Sequence, residues 1–468
     1  MISSLDANHM HHHRFFIDSS YKKWKKGGYG SIYYNPTYES IIKKIPRYEE
    51  NESTSDDCYP SLKTHKECTY YVYYPSVQEA CFSRILTRFC GFVSLYSIQM
   101  SPHFIYLHQK YLGETIHRHL ADIEQEAIPY IISELLKKCI MLEQNGLQHT
   151  DLKSNNVLYN PDTNNVYIID YNCMSVLTIR NKQLHWIDSI GSWMYVAPEI
   201  SLDSKVKDTS IVWTIGLLLT HLLHCYPFQK EYYPEDIQKT HIIDRKEWIV
   251  TYKNICLKES EPLFTKCFQT IATKYQAILA RIFVADPSLR PSLRELYSMW
   301  SDTFQLEHDT DLDRYYHEIV VNPFLGGIDE ERYYMVHHTY QFCLYWNQTH
   351  KLCNMLHIID HYSSYITDKN LYTVIFATWT IVSCIMNEHI SDNIDIYEYI
   401  NTVYHIECQD ICKLMWEICD TLDWDLYEKP YDVWLAQHNK HIDYSEIVET
   451  FIHQKTPYSM KSLFQEVA

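Results

Sequence analysis

No stretch constrains this chain more than His149-Thr150-Asp151-Leu152-Lys153-Ser154-Asn155-Asn156, which is followed by the apolar pair Val157-Leu158. Fourteen residues past Asn156 come Ile168-Ile169-Asp170-Tyr171-Asn172. Together these segments supply a carboxylate able to accept a hydroxyl proton, a carboxamide close to it, and a second carboxylate suited to magnesium. Ordinary turn and strand-end residues would not require so dense a set of these types at these distances.

The chain has 468 residues and a formal charge of −18, unevenly spread. Residues 303–468 hold 26 acidic and 9 basic side chains, a net of −17, which leaves −1 for residues 1–302. Length and asymmetry together imply two units with a boundary near residue 300. They argue against nucleic acid as a direct partner, because phosphate binding needs a basic face. The apolar runs Ile211–Cys225 and Leu371–Met386 fall short of the roughly 20 residues a bilayer requires, so each is expected as a buried central helix and no membrane partner is expected. Fifteen cysteines without a C-x-x-C pair, and no signal peptide, imply reduced thiols in an intracellular protein of cytoplasm, nucleus or virion. The His-rich residues 9–13 fit a disordered or tag-like start over residues 1–19.

Before residue 130 the sequence leans toward strands. Tyr29–Tyr34 and Ser40–Ile45 read as two strands around Asn35-Pro36, and a helix is expected from Pro75-Ser76 through Leu86. The acidic stretch Arg47–Lys66 reads as a surface insertion. After Pro129 helices dominate, the first with Ile132, Leu135, Leu136, Cys139 and Leu142 on one face.

The pattern from His149 to Asp170 resembles the catalytic loop and D-F-G metal motif of the eukaryotic protein kinase family. Other family motifs fall in order around it. Gly27-Gly28-Tyr29-Gly30-Ser31-Ile32 is similar to the Gly-rich loop over ATP, although alone its glycines also fit a hairpin turn. Eleven residues beyond Ile32, Lys43 falls where the family directs a lysine at the α/β-phosphates, with Lys44 expected to face solvent. Glu79 is the candidate to pair with Lys43, and Glu67 is the alternative. Ala197-Pro198-Glu199 resembles the end of the activation segment, and Asp286-Pro287-Ser288-Leu289-Arg290-Pro291 the late motif whose arginine pairs with that glutamate. Lys153 and Ser192 resemble the Ser/Thr-specific members.

The resemblance covers residues 20–302 and implies a two-lobe α+β fold with a small β-rich N-lobe and a helical C-lobe. It implies ATP and Mg2+ as cofactors and a Ser/Thr-bearing protein as substrate. The roles it carries over are Asp151, Lys153, Lys43 and Glu79 for catalysis, and Asn156 and Asp170 for metal. Gly27, Gly28, Tyr29, Gly30, Ile32 and Lys43 would surround the nucleotide. The sequence also departs from the family. Lys25 stands at the first loop glycine, Thr150 at the catalytic-loop arginine, Asn172 at the D-F-G glycine, and Ile211 at an aspartate beneath the catalytic loop. None of these deletes a group that touches ATP, metal or the attacking hydroxyl, so an active enzyme is expected, with a pseudokinase scaffold as the competing class.

After a linker over residues 303–329, five helices are expected at Glu330–Asn347, Thr349–Tyr365, Asp368–Glu388, Asp395–Tyr404 and Glu407–Leu422, within a unit spanning residues 330–436 and followed by a tail over 437–468. Leu422-Asp423-Trp424-Asp425-Leu426, and Leu356–Tyr362 with its Asp360, resemble phrases of the all-α cyclin box; a generic helical bundle is the alternative. Cys384 and Met415 stand where cyclins carry the lysine and glutamate that grip their kinase. The tandem order resembles kinase–cyclin fusions of giant DNA viruses. It implies docking in cis on the helix bearing Glu79, or capture of a separate protein partner.

Overall fold

The computed structural model describes residues 17, 19–27, 30–47, 74–89, 91–176, 195–203, 208–227, 265–307, 338–339, 342–343, 346, 348, 351–367, 369–386 and 394–427. Gly28, Tyr29, Glu67, Ser192, the linker beyond residue 307, the C-terminal tail and most of the first helix expected after the linker lie outside the described residues.

Five antiparallel strands build the first layer: β1 (Lys22–Gly27), β2 (Gly30–Asn35), β3 (Ser40–Pro46), β4 (Leu95–Met100) and β5 (Phe104–Lys110), in the order β1-β2-β3-β5-β4. The register sets Lys43 opposite Ile32 on one side and Leu107 on the other, so Lys43 sits at the middle of the sheet. Strand alternation gives Ile41, Lys43 and Ile45 one face. Lys44 takes the other, but it does not run free into solvent: its ammonium lies 3.8 Å from the centre of the Phe104 ring, a cation–π seat. Gly27 pairs with Gly30 at the β1–β2 turn. A side chain at Gly30 could not be accommodated, since its Cβ would lie 2.3 Å from the Lys44 carbonyl oxygen.

Helix α1 (Tyr74–Leu86) begins with a proline in its first turn, where a missing N–H costs nothing, and packs on the sheet. Val77, Ala80, Cys81 and Phe82 on it are fully buried. The helical layer follows: α2 (Ile116–His119), α3 (Ile128–Gln144), α4 (Pro198–Asp203), α5 (Ser210–Leu222), α6 (Thr265–Phe268), α7 (Thr273–Ile282) and α8 (Leu293–Phe304). The apolar face expected for α3 is buried throughout. Ser292 and Glu295 form a reciprocal capping box at the start of α8, and Trp300 Nε1 donates to the Pro129 carbonyl at the head of α3, 2.8 Å away. Two short ladders lie between the layers. One joins β6 (Leu147–His149) to β9 (Met174–Val176), the other β7 (Val157–Asn160) to β8 (Asn165–Ile168).

Four further helices are described: α9 (Leu352–Tyr362), α10 (Leu371–Ile385), α11 (Ile394–Tyr404) and α12 (Cys408–Thr421). Helix α10 is apolar on every side and buried from Val374 to Ile385. It packs on α9 and α12, reaches α11 through a 2.9 Å Thr380–Tyr397 hydroxyl contact, and lies against α1. No described helix is long and apolar enough to cross a membrane.

The contact with α1 joins the two parts of the chain. Gln78 Nε2 donates to the Ile385 carbonyl at 2.9 Å, Arg84 meets Asp423 at 2.6 Å, and Arg88 pairs with Asp425. Phe82 packs edge-on to Tyr427, and Arg47 lies 4.6 Å over the Trp416 ring. Most of the described buried apolar side chains of both parts form one continuous cluster.

Candidate active site

The two short ladders hold the site's loops. His149 is paired with Met174, and Val157 with Ile168, so the residues between His149 and Val157 arch over the start of the Asp170 segment. The His149 ring is buried and neutral, its pKa lowered by desolvation. It donates from Nε2 to the Ile169 carbonyl at 3.1 Å and accepts the Asp151 N–H at Nδ1, 3.3 Å away, tying one carboxylate's backbone to the strand before the other. Asp170 itself has φ 69° and ψ 73°, the left-handed region. Asn172, at the family's glycine position, does not share that geometry. It lies buried in the 3-10 turn Tyr171–Cys173, and its carboxamide has no hydrogen-bond partner.

Lys43 Nζ lies 2.8 Å from Glu79 Oε1 and 2.5 Å from Asp170 Oδ1. Burial acts to pull the Lys43 pKa down, but the charges of Asp170 and Glu79 outweigh it and hold the ammonium above the ordinary lysine range. Burial likewise works to raise Asp170, and Lys43 overrides it and keeps that carboxylate ionised. Of the two glutamates considered for Lys43, Glu79 is the one α1 delivers. Lys153 Nζ lies 2.5 Å from Asp151 Oδ2, and Asn156 Nδ2 donates to the Asp151 carbonyl at 2.8 Å and to its Oδ2 at 3.2 Å.

Lys43, Glu79, Asn156 and Asp170 line a single cavity with Gly30 and Ile32. Its sheet side adds Trp24, Ile41 and Val93, its far side Leu158 and Ile169, and the β5–α2 connection supplies Lys110 to Gly113. Such an apolar slot edged by exposed backbone suits a flat base, and the charged end suits phosphates. Asn156 commits its nitrogen to Asp151, which leaves its oxygen, with the Asp170 carboxylate, as hard oxygen donors of the kind magnesium takes.

Sequence reasoning missed the rim. Lys25, which stands at the first loop glycine, forms an ion pair with Glu114 at 3.0 Å and lies 3.7 Å over the Trp24 ring. Gln109, buried, donates to Ser83 Oγ on α1 at 3.3 Å at the back of the cavity. The available signal was Gly113, one of few glycines, which has φ 103°.

The departures other than Lys25 are uncharged replacements. Thr150 Oγ1 donates to the Cys173 carbonyl at 2.5 Å. Ile211 is buried beneath the catalytic loop beside His149, Leu147 and Glu143. Glu199 and Arg290 form a bidentate pair at 2.7 and 2.9 Å, and Ser210 donates to the same carboxylate at 2.6 Å.

Residues 76–300 match the profile of the protein kinase domain. The chain carries a eukaryotic-type protein kinase domain. The matched span begins after β3 and includes β4 and β5, and the Lys43–Glu79 pair connects β3 to it. A probable serine/threonine-protein kinase of Dictyostelium discoideum is 30% identical over 152 residues, 28% of this chain and 22% of that protein. Human 3-phosphoinositide-dependent protein kinase 1 is 26% identical over 140 residues, 29% of this chain and 25% of the relative. Mitogen-activated protein kinase hog-1 of Neurospora crassa is 25% identical over 225 residues, 44% of this chain and 60% of the relative. The chain thus spans less than two thirds of the length of each of these relatives.

Proposed function

We propose that this protein is a Ser/Thr protein kinase that transfers the γ-phosphoryl group of Mg-ATP to a protein hydroxyl. The observation that carries the reading is the meeting of Lys43, Glu79 and Asp170 in one cavity with Asn156, beside the Asp151–Lys153 pair. Asp151 orients the substrate hydroxyl and accepts its proton. Lys43 and Lys153 neutralise phosphate charge, and Glu79 fixes Lys43. Asp170 and Asn156 would hold magnesium, which would supply charge neutralisation at the phosphates. Gly27, Gly28, Tyr29, Gly30 and Ile32 cover the nucleotide. The test is transfer from Mg-ATP to a degenerate Ser/Thr peptide pool by the full chain beside Asp151→Ala. Transfer lost in the variant is the expected result. Equal background signals would instead favour a pseudokinase scaffold.

The C-terminal helices are a cyclin-like unit that docks in cis on α1. The row of contacts from α1 to the end of α10 and to Asp423, Asp425 and Tyr427 supports this reading, with the Ile385 carbonyl, Asp423 and Asp425 in place of the usual cyclin lysine and glutamate. The tandem order, with a Tyr-rich and Gly-poor composition, supports kinship with the kinase–cyclin fusions of giant DNA viruses. Fifteen cysteines without a C-x-x-C pair support residence inside a cell.

A further inference from the structure

Gln78 precedes Glu79 on α1 and is fully buried. Its carboxamide nitrogen has two hydrogens and two acceptors: the Ile385 carbonyl at 2.9 Å and the Met174 carbonyl at 3.0 Å. Its oxygen has no hydrogen-bond partner, so the donor end alone is committed. Both acceptors are informative. Ile385 is the last residue of α10, where a helix leaves its carbonyls without intrahelical donors. Met174 opens β9, lies four residues past Asp170, and is paired with His149 across the β6–β9 ladder. The neighbouring Cys173 carbonyl is held from the catalytic loop by the Thr150 N–H at 3.0 Å and by the Thr150 hydroxyl. A single side-chain nitrogen therefore connects the end of the C-terminal unit's central helix to the strand that supports both catalytic carboxylates.

We infer that Gln78 is a positioning residue that makes the placement of the Asp151 and Asp170 loops depend on the seating of α10 against α1. This rests on the kinase reading above and adds the route by which docking would reach the site. A carboxamide suits the task, because it is neutral, buried without ionisation cost, and donates in two directions. A glutamate here would present only acceptors to two carbonyl oxygens. A leucine would leave both carbonyls buried without a donor.

The test uses the full chain, with Gln78→Leu, the exposed docking pair Arg84→Ala/Arg88→Ala, and the triple variant. Each is measured for kcat and KM with Mg-ATP and the peptide pool, and for amide hydrogen exchange at residues 174–176. The expected result for Gln78→Leu is a kcat lowered roughly ten-fold with KM for ATP within about two-fold, because the lost bonds position the reacting groups and do not hold nucleotide. Exchange at Ser175 and Val176 should rise. The docking pair should produce both changes in the wild-type background and nothing further in the Gln78→Leu background. Additive effects, or a lowered melting temperature with kcat and exchange unchanged, would overturn the inference and leave Gln78 a packing residue. Should Gln78→Leu not fold, exchange at residues 174–176 in the docking variant decides: faster exchange supports the bridge, unchanged exchange overturns it. Should the wild-type chain transfer no more phosphate than Asp151→Ala, the kinase reading fails, and the exchange coupling still decides the bridge.

Discussion

Single side chains in this protein matter most where a charge is buried. Arg290 is held by Glu199, the Val284 carbonyl and the Trp213 ring, so its removal leaves a carboxylate stranded in the interior. Arg290→Met is expected to cost about 3–5 kcal/mol in denaturant unfolding, and adding Glu199→Gln should recover much of it. Glu143 behaves differently. Burial, and then the charge of Asp208, push its carboxyl up to about 7 from an ordinary 4.5, with Arg294 opposing. Between those two values the folded chain keeps a proton that the unfolded chain has released. The associated stability is therefore complete below 4.5 and lost as pH rises through about 7. In urea titrations at a series of pH values, Glu143→Gln should remove that decline and be more stable than wild type at alkaline pH. The residue identities behind both effects were legible, but only Arg290 and Glu199 belonged to a recognisable phrase. Glu143 is an ordinary helix glutamate until Ile211 and Leu293 close around it.

At the scale of elements, α1 carries the argument, because it presents Glu79 to Lys43 and Gln78 and Arg84 to the C-terminal unit, with Arg88 in the turn just after it reaching Asp425. The Arg84–Asp423 and Arg88–Asp425 pairs are partly exposed, so each alone contributes little to stability. Their effect on orientation is open to a charge swap. Arg84→Glu/Arg88→Glu is expected to lower kcat, and adding Asp423→Arg/Asp425→Arg to restore it. A loss that the swap does not repair would show that charge at this contact does not set α1. The helix starting at Pro75 and the apolar face of α3 were readable from proline placement and 3.6-residue spacing. The sheet order was not, since pairing β3 with β5 across α1 and β4 is a long-range choice with no local signature.

Among the described residues one apolar cluster runs from the sheet through α1 into α10 and α12, although the charge pattern divides the chain sharply near residue 300. Charge reports on surface, and cohesion is set by what is buried. Phe82, fully buried between the sheet-side core and Tyr427, lies at that junction. Phe82→Ala is expected to cost about 3–5 kcal/mol and, in calorimetry of the full chain, to shift a single transition to lower temperature. Two separating transitions, with only one moved, would mean that the halves fold independently.

By itself the sequence determined the chemistry on offer: Asp151, Asn156 and Asp170 at fixed spacings, Lys43 on a strand, and an apolar helix from Leu371 onward. Local order and residue type are properties of a linear chain, and these features needed nothing more. The tertiary structure decided that Glu79 is the partner of Lys43, that the left-handed residue is Asp170 and not Asn172, and that Lys25 turns to Glu114. It also decided that Gln78 would have two acceptors from segments 96 and 307 residues away. Such choices depend on which distant groups packing brings within hydrogen-bond reach, and no periodicity along the chain encodes that distance.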